Sequence, residues 1–191
     1  MEFRQFFESF FGVEMTPMYI ASQVVSLFSS LCFVASYQSK QQKKIMIWQL
    51  AAGLLSVLCF LLQHAYTGML LSFVSVLRAL LFMNVQDKKW ASSIFIPIGL
   101  SVLCVIGAAF TWAGWESLFP LIAQVVLAFA HRFKNPRTVR LLSLPGDSCW
   151  LVYNILVGNV VGIFTEIFIV ISIIVGLLRH DVRRKSSEKA E

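Results

Sequence analysis

Of 191 residues, 58% are hydrophobic and only 14% are charged, with a mean hydropathy of +0.75. A soluble domain carries about 25% charged residues, so one water-surrounded core is excluded and lipid must be the main solvent. The net charge of +6 does not point to nucleic acid, because the basic residues sit in short segments beside apolar runs, where topology signals facing an anionic leaflet belong.

In chain order, residues 1–14 read as an interfacial helix. Phe3, Phe6, Phe7, Phe10 and Phe11 form an apolar stripe with Glu2, Arg4, Gln5 and Glu8 between them. The acidic residues and the lack of a small-residue cleavage site argue against a secretory signal. Seven apolar runs of roughly membrane length follow. The first is Pro17–Tyr37, then a loop with Lys40, Lys43 and Lys44. The second is Ile45–Leu62, turning at Gln63–Tyr66 into a third that ends near Asn84, before Asp87, Lys88, Lys89 and Trp90. The fourth, Ala91–Phe110, contains Pro97 and Gly99 and is expected to kink, and Trp112 and Trp115 occupy the next turn. The fifth, Ser117–Ala130, precedes Arg132, Lys134, Arg137 and Arg140. The sixth, Leu141–Val157, turns at Gly158–Asn159 into a seventh ending near Leu178, and the tail adds five more basic residues.

This pattern defines an all-α, polytopic membrane protein with seven transmembrane helices in one integral domain. Basic residues cluster after spans one, three, five and seven, which places the N-terminus outside and the C-terminus in the cytoplasm. A shift of 94 residues overlays Ile45–Leu62–Gly68 on Val139–Leu156–Gly162 without a gap. The expected fold is two parallel three-helix repeats, residues 17–84 and 117–179, joined by a linker helix at 91–110 and followed by a cytoplasmic tail at 180–191. In such repeats solute sites lie near the midplane at the repeat interface.

Three ionisable residues fall inside spans: Arg78, Asp147 and Glu166. A central Asp costs about 2.5–3.5 kcal/mol on insertion scales, so Asp147 is expected to face protein or a wet cavity. Pro145 and Gly146 precede it and predict a broken helix that leaves polar backbone beside the carboxylate. Asp147, Trp150 and Asn154 share one helical face, and Asn159, Gly162 and Glu166 repeat the spacing on span seven. Gly158 and Gly162 would let those two spans approach closely. Arg78 either snorkels to the inner interface or pairs with Asp147 or Glu166. Gln49, Ser56 and Gln63 form a milder polar stripe on span two. The same residues admit a structural reading, in which each polar group only locks helices together.

The four cysteines lie in apolar runs with no ligand spacing, so neither disulfide nor metal nor other cofactor is expected. No nucleophile–base pair or phosphate loop is present, and His64, His131 and His180 read as solvated side chains at loop ends and in the tail. The residues do not ask for an enzyme.

Leu61-Leu62, Tyr66 and Arg78, with Cys149-Trp150, Asn154, Gly158, Gly162 and Glu166, resemble the YgjV-type family of bacterial inner-membrane proteins. That resemblance implies the bacterial plasma membrane and a layout similar to the three-plus-one-plus-three SWEET and PnuC-type transporters, whose central pockets use Trp and Asn side chains as Trp150 and Asn154 would. The expected function is transport of a small polar or ring-shaped solute by alternating access, coupled to protons where Asp147 or Glu166 lacks a cationic partner. The solute would be bound by Asp147, Trp150, Asn154, Glu166, Arg78, Gln49 and Ser56. The alternative is a non-transporting membrane scaffold or partner-binding subunit. Expected partners are the lipid bilayer, such a solute and other copies of the chain.

Overall fold

The computed structural model describes residues 14–38, 42–83, 88, 90, 93–133 and 136–176. The proposed interfacial stripe (residues 1–13) and the tail lie outside them. Seven α-helices and no strand are found among the described residues: α1 (Pro17–Gln38), α2 (Gln42–Leu62), α3 (Tyr66–Phe82), α4 (Phe95–Phe110), α5 (Leu118–His131), α6 (Pro136–Leu156) and α7 (Val160–Gly176). A 3-10 turn, Trp115–Ser117, leads into α5. Apolar runs become helices here because a helix satisfies its own backbone polar groups. Thr16 opens α1 by accepting the Tyr19 N–H at 3.1 Å.

Pro17–Ser36 and Lys43–Leu62 are long and apolar enough to cross a membrane; four further apolar helices are shorter. The outward surface is apolar, with Phe28, Phe95, Phe110 and Phe164 between 56% and 85% exposed. Water would penalise that surface and acyl chains would not.

Neighbours in sequence pack against each other: α1 on α2, α2 on α3, α5 on α6, and α6 on α7. Two further contacts join the ends, α1 with α7 and α3 with α5, and α4 lies against α3 and α5. α4 buries a single stripe, Pro97, Leu100, Cys104 and Gly107–Ala108, and exposes most of the rest. Met46, Leu71, Val74, Phe82, Leu100 and Cys104 form one apolar cluster, while Phe60, Ala123, Leu127, Trp150 and Tyr153 form another.

The turns after α2 and α6 match bond for bond. His64 (φ 55°) and Gly158 (φ 67°) each hold the left-handed position that closes a helix. Ala65 N donates to Phe60 O, and Asn159 N to Asn154 O, both at 2.9 Å. Met69 N to Ala65 O and Ile163 N to Asn159 O are likewise both 2.9 Å. Every residue in one turn is 94 positions from its counterpart in the other.

Two expectations need adjusting. α6 runs unbroken through Pro145-Gly146, because a proline costs a helix one donor but does not force it apart when the flanking turns remain packed. Gly146 instead serves packing: a Cβ there would meet Leu127 Cγ at 2.8 Å, so α6 sits close on α5. Pro145 itself is exposed. α6 also starts at Pro136, five residues before the apolar run, since basic residues are good helix formers that hydropathy leaves outside.

Candidate functional site

Six helices enclose a chamber of about 80 Å³, and none of the residues lining it comes from α4. On α6 the face Ser143, Asp147, Trp150 and Asn154 lines it, a spacing that returns to one side every turn. That face covers about 17 Å of helix at 1.5 Å per residue. α2 presents Gln49, Gly53, Ser56 and Phe60 to the same space. Each of these stands 94 positions from its α6 counterpart, and so do Ser72 on α3 and Glu166 on α7.

All seven residues expected to bind solute therefore line one chamber. Asp147 is 7% exposed, and its Oδ2 is buried with no hydrogen-bond partner among the described residues. Glu166 is less buried as a whole, but its Oε2 is in the same condition. The two acids lie within electrostatic reach of each other, and Arg78 within reach of Asp147. Buried polar atoms without partners are uncommon in folded proteins. Two of them, on the adjoining helices α6 and α7, belong to residues that line the same cavity.

Arg78 is buried rather than extended to an interface. Its Nη1 donates to Gln124 Oε1 at 3.0 Å, and Gln124 Nε2 in turn donates to Ser75 Oγ. The arginine thus ties α3 to α5. Gln124 was not legible as a partner, although Gln124, Leu127 and His131 share the inner face of α5.

Asn154 lines the chamber but is also committed to the fold. Its Nδ2 donates to Trp150 O at 2.9 Å, and its Oδ1 accepts from Asn159 Nδ2 at 2.9 Å. Asn159 Oδ1 accepts from Ser26 Oγ and from Gly162 N, both at 3.2 Å. A Cβ on Gly162 would lie 2.4 Å from Asn154 Oδ1 and 2.5 Å from Asn159 Nδ2. Gly162 is therefore small to admit two amide side chains, not to bring helix against helix. Gly158 supplies the left-handed turn, and its carbonyl accepts the Tyr19 hydroxyl at 2.7 Å.

Trp150 is stacked on Phe60, with centroids 5.8 Å apart and planes at 21°, and Tyr153 packs edge-on against it. One face of the indole is thus already used. Ser56 shares a 2.9 Å hydrogen bond with Ser29, whose hydroxyl also reaches Ala52 O. Gln63 does not join Gln49 and Ser56 in the chamber; it sits in the turn and donates to Ser22 Oγ at 3.1 Å.

Sequence reasoning placed His131 in solvent. It is 7% exposed, lines the chamber, and its Nδ1 lies 2.9 Å from Leu127 O. It ends α5 rather than starting a loop, because the helix runs one residue past the apolar stretch. Ser26, Ser29, Ser30 and Phe33 on α1 also line the chamber; their i, i+3, i+4, i+7 spacing was visible, but serine is neutral in hydropathy. Among the described residues, no three His, Cys, Asp or Glu side chains converge as a metal site needs.

A second cavity of about 270 Å³ opens where the turns meet, lined by Gln63, His64, Thr111, Glu116 and Tyr153 among others. Tyr153 lines this vestibule and packs against Phe60 and Trp150, which line the chamber, and Gly68 N donates to its hydroxyl at 3.0 Å.

An apolar exterior around a polar interior defines this class of molecule: a helical membrane protein with an enclosed chamber. The chain matches the bacterial inner membrane protein family Imp-YgjV over residues 20–184, and belongs to it. No curated protein and no solved structure matches.

Proposed function

We propose that the protein is a small-polar-solute transporter that crosses the bacterial inner membrane seven times and exposes its chamber alternately to either side. The carrying observation is the chamber itself, with two unpartnered carboxylate oxygens on α6 and α7. α1–α3 and α5–α7 act as two parallel repeats, with α4 as the linker. Support comes from the constant 94-residue offset of the lining faces, from the matched turns, and from the end contacts. Exchanging the halves converts the α1–α7 contact into the α5–α3 contact. Helices that line a shared cavity from two like-facing bundles can rock about it.

In this reading the loops rich in Lys and Arg face the cytoplasm and the vestibule faces outward. Green fluorescent protein fused after Glu191 is then expected to fluoresce and alkaline phosphatase at the same point to stay inactive. The opposite pair of results reverses the orientation. Asp147 and Glu166, the two acids of the chamber, are the groups that would exchange protons where coupling occurs.

Cys59 lines the chamber and is 1% exposed, which makes it a native reporter. In a variant retaining only this cysteine, a small methanethiosulfonate is expected to modify it from both faces, in right-side-out and in inside-out vesicles. A thiol reached from one face only rejects alternating access. One that is inert from both favours a sealed scaffold, a reading that the Arg78–Gln124–Ser75 and Asn154–Asn159–Ser26 bonds alone would satisfy.

A further inference from the structure

Among the described side chains lining the chamber, Asp147 and Glu166 are acids, Arg78 is a fixed cation and His131 is an imidazole. With both acids ionised, as an ammonium guest between them would hold them, and the imidazole neutral, the wall carries one negative charge more than positive. An ion held out of water without compensation is costly, so the wall favours a guest that brings one positive charge. Arg78 places its Nη1 on Gln124, while Asp147 Oδ2 and Glu166 Oε2 remain to accept donors.

The rest of the wall selects among monocations. Serine and threonine hydroxyls from α1, α2, α3, α6 and α7 can accept N–H donors or bond a guest hydroxyl. Trp150, Phe60 and Phe33 give the same chamber an aromatic side, and cations are drawn to aromatic faces. A bare alkali ion could use the chamber's oxygens but has no carbon to lay against its aromatic side, which an organic ammonium covers. An anion would meet two carboxylates. A neutral polyol would bond the hydroxyls but leave the charge unmatched.

We infer that the chamber binds a small organic ammonium ion, held by hydrogen bonds to Asp147 Oδ2 and Glu166 Oε2 beside the Trp150 ring. The inference deepens the transport reading by naming the substrate class, and its test measures binding alone.

The probe is ethanolamine hydrochloride, added to the purified full chain near neutral pH while the midpoint of thermal unfolding is followed. Ethylene glycol, sodium glycolate and sodium chloride at matched ionic strength serve as neutral, anionic and alkali-ion counterparts. Ethanolamine is expected to raise the midpoint saturably and the other three to leave it in place, because only a ligand of the native state stabilises it. Asp147→Asn and Glu166→Gln are each expected to raise the half-saturating concentration about 10- to 100-fold, the loss of one charge-assisted bond. An equal rise with sodium chloride or with ethylene glycol overturns the inference, as does no saturable rise with ethanolamine or an unchanged half-saturation in both variants. Should a variant fail to fold, the four probes on the unaltered protein still decide. A saturable ethanolamine effect with an inert Cys59 would leave the ammonium site standing and remove transport; the reverse pattern would do the opposite.

Discussion

Gly162→Ala is expected to destabilise the protein by about 3–5 kcal/mol, measured as the fraction still monodisperse after graded heating. The new methyl would lie 2.4 Å from Asn154 Oδ1 and 2.5 Å from Asn159 Nδ2. Neither amide can simply swing aside. Asn154 Nδ2 is held by Trp150 O, and Asn159 is held by Asn154, Ser26 and the Gly162 N–H. Overpacking alone costs about 1–3 kcal/mol, and each buried amide group left unbonded adds about 1–3 kcal/mol. Gly99→Ala is the control: nothing lies within 4 Å of its added Cβ, and alanine improves helix propensity by about 1 kcal/mol. Equal stability of the two variants would show that the amide cluster does not hold the α6–α7 corner together.

Hydropathy alone was enough to find the seven helices, because lipid-facing residues dominate each run. Those residues face outward and carry the signal, so the boundaries agree within a few residues except at α6, whose first turn is basic. The inner wall was legible where a residue was costly or distinctive: Asp147, Glu166, Arg78 and Trp150 each stand out against an apolar background. It was not legible where polarity is mild. Ser26, Ser29 and Ser30 read as filler in α1, and His131 as the start of a loop. Partners were harder still. Arg78 bonds Gln124, 46 residues away, through an end contact between α3 and α5 that spacing along one helix cannot reveal. Asn154 illustrates a further limit: its position on the chamber face followed from helical period, whereas its engagement by Asn159 depends on how the chain turns at Gly158.

Tyr153→Ala is expected to raise the rate at which Cys59 is modified from the vestibule side by about tenfold or more, with little change from the other side. Tyr153 lines the vestibule and packs on two chamber residues, Phe60 at 5.7 Å and Trp150 at 5.8 Å between centroids. Its hydroxyl is fixed by the Gly68 N–H, and Gly68 has no room for a side chain: a Cβ would stand 2.7 Å from Tyr153 Cε1 and 3.1 Å from Phe60 Cδ1. In the transport reading the aromatic trio is the barrier between chamber and vestibule. Removing the ring takes away aromatic contacts of about 0.5–1.5 kcal/mol each and a hydrogen bond of about 1 kcal/mol, all made in the closed state. A population ratio moves tenfold for about 1.4 kcal/mol, so the open form gains at least that much. Tyr153→Phe keeps the ring and loses only the hydroxyl, and should give a smaller increase. Gly68→Ala should approach the full effect by pushing the ring from its seat while leaving Tyr153 intact. The three variants thus rank the contributions of ring, hydroxyl and seat. If none of them accelerates modification from the vestibule side, the barrier lies elsewhere and the trio is ordinary core packing.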